Sequence, residues 1–176
     1  MSPTQQILYK IVILGDGGVG KTTLLHRYVD GKFISDTKMT IGTNFFVKKI
    51  EFPEEDAIIT LQIWDLGGQA HFASIRSSFY RGARGVIYTF DLTRMLTLKN
   101  LTNWKQELED VVGQQKSILV GNKLDLINPD KRIIDPSFVT MIKDILKATD
   151  YYETSAKDNI MVNKVFRQIA YEIYKS

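Results

Sequence analysis

Short apolar runs alternate along the chain with segments whose apolar residues recur at every third or fourth position. The runs predict strands over 7–14, 44–52, 57–65, 85–91, 116–121 and 150–153. The periodic segments predict helices over 21–30, 70–81, 96–112, 136–148 and 160–175. That alternation is the pattern of an α/β fold: six strands in a mostly parallel sheet, with helices on both faces. Only PEED (53–56) separates the second strand from the third, which predicts a hairpin and one antiparallel edge strand. In the last helix Val162, Val165, Phe166, Ile169 and Ile173 form one stripe, read as core packing. In 57–65, Ile59, Leu61 and Ile63 share a face, so Gln62 and Trp64 take the other. In 44–52, Phe46, Ile50 and Phe52 share a face, and Phe45 falls with Lys49 and Glu51. Trp64 and Phe45 therefore point away from the main core, where either a partner, or loops and an edge helix, would cover them.

The first strand runs straight into GDGGVGKTT (15–23), with four glycines in six residues. The segment fits G-x-x-x-x-G-K-[ST] at Gly15, Gly20, Lys21 and Thr22, in the strand–loop–helix context that the pattern requires. Glycines let the loop curl so that successive N–H groups point inward at phosphate oxygens. The helix beginning near Lys21 adds its positive end. Lys21 supplies a full charge between the β- and γ-phosphates, and the Thr22 hydroxyl is placed to ligate magnesium. Phosphate binding is the reading; a glycine-rich turn with a solvated lysine is the bland alternative.

Composition narrows the setting. The 176 residues fit one domain, 1–176, and 44% hydrophobic with 24% charged residues is ordinary for a globular protein. A net charge of +3 without a basic run supports neither nucleic-acid nor direct membrane binding. The absence of cysteine excludes disulfides, zinc thiolate sites, a cysteine nucleophile and lipidated cysteines from this sequence. Ile11–Leu14 is too short for a signal-peptide core, and no later run is long enough for a bilayer. The expectation is a cytoplasmic monomer that reaches membranes only through a partner or a tail outside this sequence. His26 and His71 are read as surface or packing residues.

Three later motifs bear on which nucleotide is bound. NKLD (122–125) follows the strand SILVG, at the strand end where an open α/β sheet places its ligand. Guanine offers two adjacent donors that one carboxylate can accept, whereas adenine would leave a buried Asp125 unpaired; such a site discriminates by about 10⁴-fold. TSAK (154–157) follows another short strand, where backbone N–H groups could meet the guanine carbonyl. WDLGGQ (64–69) supplies an aspartate, a Gly-Gly hinge and a glutamine: Asp65 to hold magnesium through water, the Gly68 N–H to sense the γ-phosphate, Gln69 to orient an attacking water. Singly these motifs are weak.

In order, G-x4-GKT, TIG (40–42), DxxGQ (65–69), NKxD (122–125) and SAK (155–157) resemble the Ras superfamily of small GTPases over essentially the whole chain. The resemblance is closest to the Rab branch, through IGTNF (41–45), LQIWD (61–65), FYRGA (79–83), DLT (91–93) and SAKDNI (155–160). It implies a P-loop NTPase G domain that binds GTP or GDP with Mg²⁺, hydrolyses GTP slowly and switches two loops, 33–45 and 66–82, that recruit partners. Nucleotide contacts would come from Gly15, Gly17, Gly18, Val19, Gly20, Lys21, Thr22 and Thr23, with Phe33 on the edge of the base. Gly17 would sit where a side chain would crowd the transition state. Thr40 would ligate magnesium with Thr22 and Asp65 and close over the γ-phosphate, near Gly68. Asn122 and Lys123 would brace the base and the phosphate loop, beside Asp125, Ser155, Ala156 and Lys157. Catalysis would fall to Gln69, Lys21 and Thr40. Phe45, Trp64 and Phe79 would form an aromatic trio for effectors, beside surfaces for exchange factors and GTPase-activating proteins.

The chain departs from the family at Leu66-Gly67, which looks more like the Arf branch, and at Ala70 in place of glutamate. These leave open a binding module that hydrolyses almost nothing. A small-molecule kinase would need an acceptor pocket and an arginine-rich lid, and neither is visible. No side chain stands out as an arginine finger in cis, since Arg76 and Arg81 lie in a segment expected to move.

Overall fold

The apolar run Ile11–Leu14 is buried on both sides because it occupies the centre of a sheet covered on two faces. The computed structural model describes residues 3–35 and 38–176, so Asp36 and Thr37 of the 33–45 loop lie outside the described residues. Strands β1 (Gln5–Leu14), β2 (Thr43–Phe52), β3 (Ala57–Leu66), β4 (Ala83–Asp91), β5 (Lys116–Asn122) and β6 (Asp150–Glu153) form one sheet. Their order is β2-β3-β1-β4-β5-β6. β2 and β3 pair antiparallel in unbroken register from Thr43↔Leu66 to Phe52↔Ala57, and the other pairs are parallel. The turn between them is a single 3-10 turn, Pro53–Glu55, closed by Asp56 at φ 49°.

Alternation along each strand feeds two separate cores. Helices α1 (Lys21–Asp30) and α6 (Val162–Tyr174) cover one face, packing Leu25, Phe166 and Ile169 on Ile11, Ile13, Ile59 and Ile63. Helices α2 (Ala73–Tyr80), α3 (Met95–Lys99), α4 (Leu101–Val112) and α5 (Pro136–Leu146) cover the other. There Tyr80, Leu98, Leu108 and Ile142 meet Val12, Leu14, Val86 and Phe90. The expected stripe of α6 is wholly core: its five residues are no more than 2% exposed.

Two expected helices differ in detail. The 96–112 segment is two helices that meet at Asn100, whose side chain donates to Asp16 Oδ2 at 2.7 Å and ties the junction to the glycine loop. The 70–81 segment opens as a 3-10 turn, Ala70–Phe72, before α2. Trp64 is half-buried rather than free: it contacts Phe79 of α2 at 5.3 Å between ring centroids and Phe45 at 4.7 Å. Phe45 remains 47% exposed. The expectation of a covering helix therefore holds for Trp64, and Phe45 is left open.

β1 is the topological switch point. The chain leaves it toward β2 and β3, then returns to β4 on its other side, which opens a crevice at the carboxyl end of β1. Gly15 to Gly20 lie there. Among the described residues, no helix is long and apolar enough to cross a membrane.

Candidate functional site

Gly20 caps α1 with φ 98°, and a Cβ there would stand 2.4 Å from Asn122 Nδ2. Glycine is therefore needed both for the backbone conformation and for the space. Asn122 uses that closeness to donate to Val19 O at 3.0 Å, locking the end of β5 to the glycine loop. Lys21 lies under the loop and donates to Gly15 O at 2.7 Å and Asp16 O at 3.0 Å. Burial pulls its ammonium down to about 8, against the opposing pull of the Asp65 and Asp16 carboxylates. A buried cation held mainly by carbonyls is an incomplete ion pair, and phosphate oxygens would complete it.

Three hard oxygen ligands converge beside Lys21. Thr22 Oγ1 lies 2.8 Å from Thr40 Oγ1 and 2.5 Å from Asp65 Oδ2, and Asn44 Nδ2 is 3.4 Å from the same carboxylate oxygen. Burial pushes the Asp65 carboxyl up, and its Oδ1 is buried without a hydrogen-bond partner among the described residues. An orphaned carboxylate oxygen beside two hydroxyls suits a magnesium-sized cation that completes its shell with water and phosphate. No group of three or more His, Cys, Asp or Glu side chains suited to a metal occurs among the described residues. His26 pairs with Asp30 at 2.9 Å, and His71 packs on Phe72.

The far end of the crevice is built by β5, β6 and the turns after them. Asp125 accepts from Ser155 Oγ at 2.8 Å, and Ser155 Oγ accepts in turn from Asp158 N at 2.9 Å. Thr154 Oγ1 donates to Asn122 Oδ1 at 3.0 Å. Lys123, in a left-handed conformation, pairs with Asp91 Oδ2 at 3.0 Å. Burial raises the Asp91 carboxyl, but bonds from Thr93 and Lys123 outweigh it and hold the group below the usual carboxylate range. Arg27 of α1 donates to Ala156 O at 2.7 Å and Lys157 O at 3.0 Å, fixing the backbone that follows β6.

Two recesses lie in this crevice. One of about 70 Å³ is lined by the glycine loop, Lys21, Thr22, Lys38, Met39, Thr40, Gly68 and Gln69. The other, of about 450 Å³, is lined by Thr23, Phe33, Ile34, Asn122, Lys123, Asp125, Leu126, Ala156 and Lys157, among others. Gly18 and Gly20 line both, so the two recesses adjoin at the glycine loop. Of the expected site residues, only Gly15, Val19, Asp65 and Ser155 stay behind these walls, each bonded to or packed against a residue that lines them.

The wall toward Gln69 is packed more tightly than a hinge would be. A Cβ on Gly68 would fall 2.6 Å from Gly17 N, and one on Gly67 would fall 2.8 Å from Thr40 O. Gly67 N also donates to Gly42 O at 2.8 Å. The Gly-Gly pair is thus a close-contact seam between both loops and the glycine loop. Leu66 is fully buried in the second core and does not face the recess. Gln69 Nε2 rests on Met39 Sδ at 3.3 Å, a weak acceptor.

Arg76 corrects the expectation of a moving arginine. It is 4% exposed, stacks 4.4 Å from the Trp104 ring centroid, and pairs through two nitrogens with Glu107 at 2.7 and 2.9 Å. Its third nitrogen donates to Gly67 O at 2.8 Å and Gln69 O at 2.7 Å. Trp104 Nε1 donates to Asp16 Oδ1 at 2.8 Å, so α4 joins the glycine loop to the Gly-Gly seam. The sequence reading missed Asp16, Asp91, Arg94, Lys38 and Met39. Only Asp91 carried a signal, as the aspartate of DLT.

A family model described as Ras family matches residues 10–175. The GTP-binding protein yptV2 of Volvox carteri is 39% identical over 97% of this chain and 77% of its own length. The Ras-related protein Rab7 of Pisum sativum is 36% identical over 100% of this chain and 87% of its own. The Ras-related protein Rab-1A of Dictyostelium discoideum is 38% identical over 98% and 84%.

Proposed function

The chain belongs to the Ras family, on its Rab branch, and from that premise we propose how its residues divide the work of binding and hydrolysing GTP. The protein is a small GTPase, a switch in trafficking that binds guanine nucleotide, hydrolyses GTP and meets regulators and effectors. The observation that carries the residue assignment is the shared wall of the two recesses at Gly18 and Gly20. A base-sized chamber lined by Asp125 adjoins the glycine loop around Lys21, which suits one ligand with a base at one end and phosphates at the other.

Asp125 accepts the two guanine donors, with Ser155 behind it and Asn122, Lys123 and Ala156 around the ring. Phe33 covers the edge of the base. Lys21 lies across the β- and γ-phosphates. Thr22, Thr40 and, through water, Asp65 would hold a magnesium ion, which when bound neutralises charge on the β- and γ-oxygens. Gly68 N–H donates to the γ-phosphate. Gln69 leaves Met39 to orient a water in line with the γ-phosphorus. After hydrolysis the 38–42 and 67–69 segments lose their phosphate partners and release, which is the switching step. Phe45, Trp64 and Phe79 form the face offered to effectors. We take residues 1–176 as one monomeric G domain with intrinsic turnover on the order of 10⁻⁴ to 10⁻² s⁻¹.

Identifying the nucleotide retained on purification, by chromatography after denaturation, tests the reading. GDP or GTP is the expected result, followed by single-turnover phosphate release from the GTP form. An adenine nucleotide, or failure to load GTP, would overturn it.

A further inference from the structure

One cation beside the glycine loop has no role in the assignments above. Arg94 directly follows DLT, at the N-terminus of α3, and its side chain is 47% exposed. Its Nη2 donates to Gly17 O at 3.3 Å and lies 3.3 Å from where a Cβ on Gly18 would stand. Its Nε rests on Asp91 Oδ2 at 3.1 Å. Gly17 and Gly18 both line the phosphate recess. No cis peptide bond occurs among the described residues, so the Gly17 carbonyl and the Gly18 N–H point opposite ways across one peptide plane. The guanidinium on the carbonyl side is therefore one peptide away from the side that faces phosphate.

We propose that Arg94 is a built-in catalytic arginine: its guanidinium turns over the Gly17–Gly18 peptide onto the β- and γ-phosphate oxygens during GTP hydrolysis. The inference rests on the functional reading above. The backbone at Arg94 is fixed, because Arg94 N donates to Asp91 O at 3.0 Å, while Arg94 O accepts from Thr97 Oγ1 at 2.6 Å and Thr97 N at 3.1 Å. Only the side chain needs to move. Its release is inexpensive, since Asp91 keeps Lys123 at 3.0 Å and both Thr93 bonds, so no buried carboxylate is stranded. The bond given up at Gly17 O is long, and a triphosphate offers charged acceptors that a planar guanidinium can bind in pairs. Arg76, by contrast, has all three guanidinium nitrogens tied to Glu107, Gly67 and Gln69 and cannot serve.

In the reaction, the water oxygen bonds to the γ-phosphorus while the bond from γ-phosphorus to the β–γ bridging oxygen breaks. The electron pair of that bond stays on the β-phosphate of GDP, and the water proton leaves with inorganic phosphate. Negative charge moves toward the bridging oxygen as this happens, and a guanidinium placed there stabilises the transition state more than bound GTP. Related proteins with an arginine in cis turn over near 10⁻² s⁻¹, against about 3–5 × 10⁻⁴ s⁻¹ without one, so roughly a 30-fold effect is at stake.

The test compares wild type, Arg94→Ala and Arg94→Lys, each first loaded with GTP. Both variants should hydrolyse about 10- to 50-fold more slowly in single turnover, with melting temperatures and GTP and GDP dissociation rates close to wild type. The wild-type GDP form should also take up aluminium fluoride, a mimic of the transferring phosphoryl group, without any activator, read by ¹⁹F NMR; Arg94→Ala should not. Wild-type hydrolysis in either variant would overturn the proposal. So would nucleotide release that accelerates as much as hydrolysis slows, which would make Arg94 a support for the loop. A wild-type protein that cannot be loaded with GTP overturns the functional reading itself, and this inference with it.

Discussion

The two ends of the nucleotide crevice are built differently. At the base end, Asn122, Asp125, Thr154 and Ser155 bond to one another and to Val19 at 2.8–3.0 Å, and α1 reaches in through Arg27. Every partner except Val19 of the glycine loop lies on a strand, a helix or the turn after one. At the phosphate gate, residues 38–42 carry no regular structure, Ile41 is 83% exposed and Met39 57%. What holds that gate is Met39 sulfur against Gln69, a bond between the Thr22 and Thr40 hydroxyls, and the backbone bond from Gly67 N to Gly42 O. The first region is held by bonds among its own residues; the second has few such bonds, and γ-phosphate would supply more. A switch needs this asymmetry. If both ends were rigid, hydrolysis would change nothing, and if both were loose, nucleotide identity would not be read.

The largest expected effect falls on the rigid end. Asp125→Asn places an amide donor against the guanine donors, so GTP affinity should fall at least about 10²-fold and selectivity over ATP by as much as about 10⁴-fold. Xanthosine triphosphate, whose 2-oxo group can accept from the amide, should bind better than GTP. Competition binding with the three nucleotides checks this, and unchanged guanine preference would dissolve the contrast at its rigid end.

The gate does have one rigid footing, and removing it is the next largest effect. Burial works against the Arg76 charge, but Glu107 outweighs it and keeps the guanidinium protonated, while Arg76 and Tyr80 together hold the Glu107 carboxyl low. Arg76→Ala would strand Glu107 and uncap the Gly67 and Gln69 carbonyls. The GDP form should lose about 3 kcal/mol of stability, measured by urea denaturation. The loss should exceed that of any alanine substitution in 38–42, where few buried bonds exist to break. A loss under about 0.5 kcal/mol, ordinary for a surface site, would mean that α4 does not anchor the gate.

Gln69→Leu should slow single-turnover hydrolysis by about tenfold or more while leaving GTP dissociation nearly unchanged, because Gln69 contacts the water and not the nucleotide. Equal hydrolysis rates would show that the gate lacks the chemistry assigned to it. The substitution also removes the amide that rests on Met39, so faster hydrogen exchange at 39–42 should accompany the slower hydrolysis.

Legibility in the sequence follows the same division. The sheet, its hairpin edge and the glycine loop were readable because local pattern dictates them: alternation fixes faces, and G-x4-GKT needs no distant partner. Lys21, Asp65 and Asp125 were readable for the same reason: Lys21 opens the helix after the glycine loop, Asp65 lies at the end of β3, and Asp125 lies in the turn after β5. What stayed hidden depends on contacts between remote residues. Asn100 has helical angles, φ −67° and ψ −14°, and no local signal separates it from its neighbours; its tie to Asp16 spans 84 positions. Arg76 was placed in a segment expected to move because its partner Glu107 is 31 residues away, on the helix predicted over 96–112. Arg94 carried no signal, since its nearness to Gly17 spans 77 positions.

The smallest expected effect uses pH to separate the cost of the buried lysine from its service to phosphate. In the nucleotide-free protein Lys21 titrates near 8, below its ordinary value of 10.5, because burial disfavours the charged form. Below pH 8 the group is protonated both folded and unfolded, so the full cost of burying its charge is present. Between about 8 and 10.5 the unfolded chain binds more protons than the folded one, so the stability of the nucleotide-free protein rises with pH from this group. Nucleotide affinity must move the other way. Phosphate oxygens bind the ammonium, and above pH 8 binding has to recapture a proton, so affinity declines by at most about tenfold per pH unit. Nucleotide-free melting temperature and GDP affinity, measured from pH 7 to 9, should therefore diverge. Lys21→Met should flatten this group's contribution to both curves, with tighter folding of the free protein and weaker nucleotide binding throughout. If the wild-type curves run parallel, or if Lys21→Met leaves the affinity curve's slope intact, the lysine is not the titrating contact. The phosphate end would then owe its affinity to backbone donors alone.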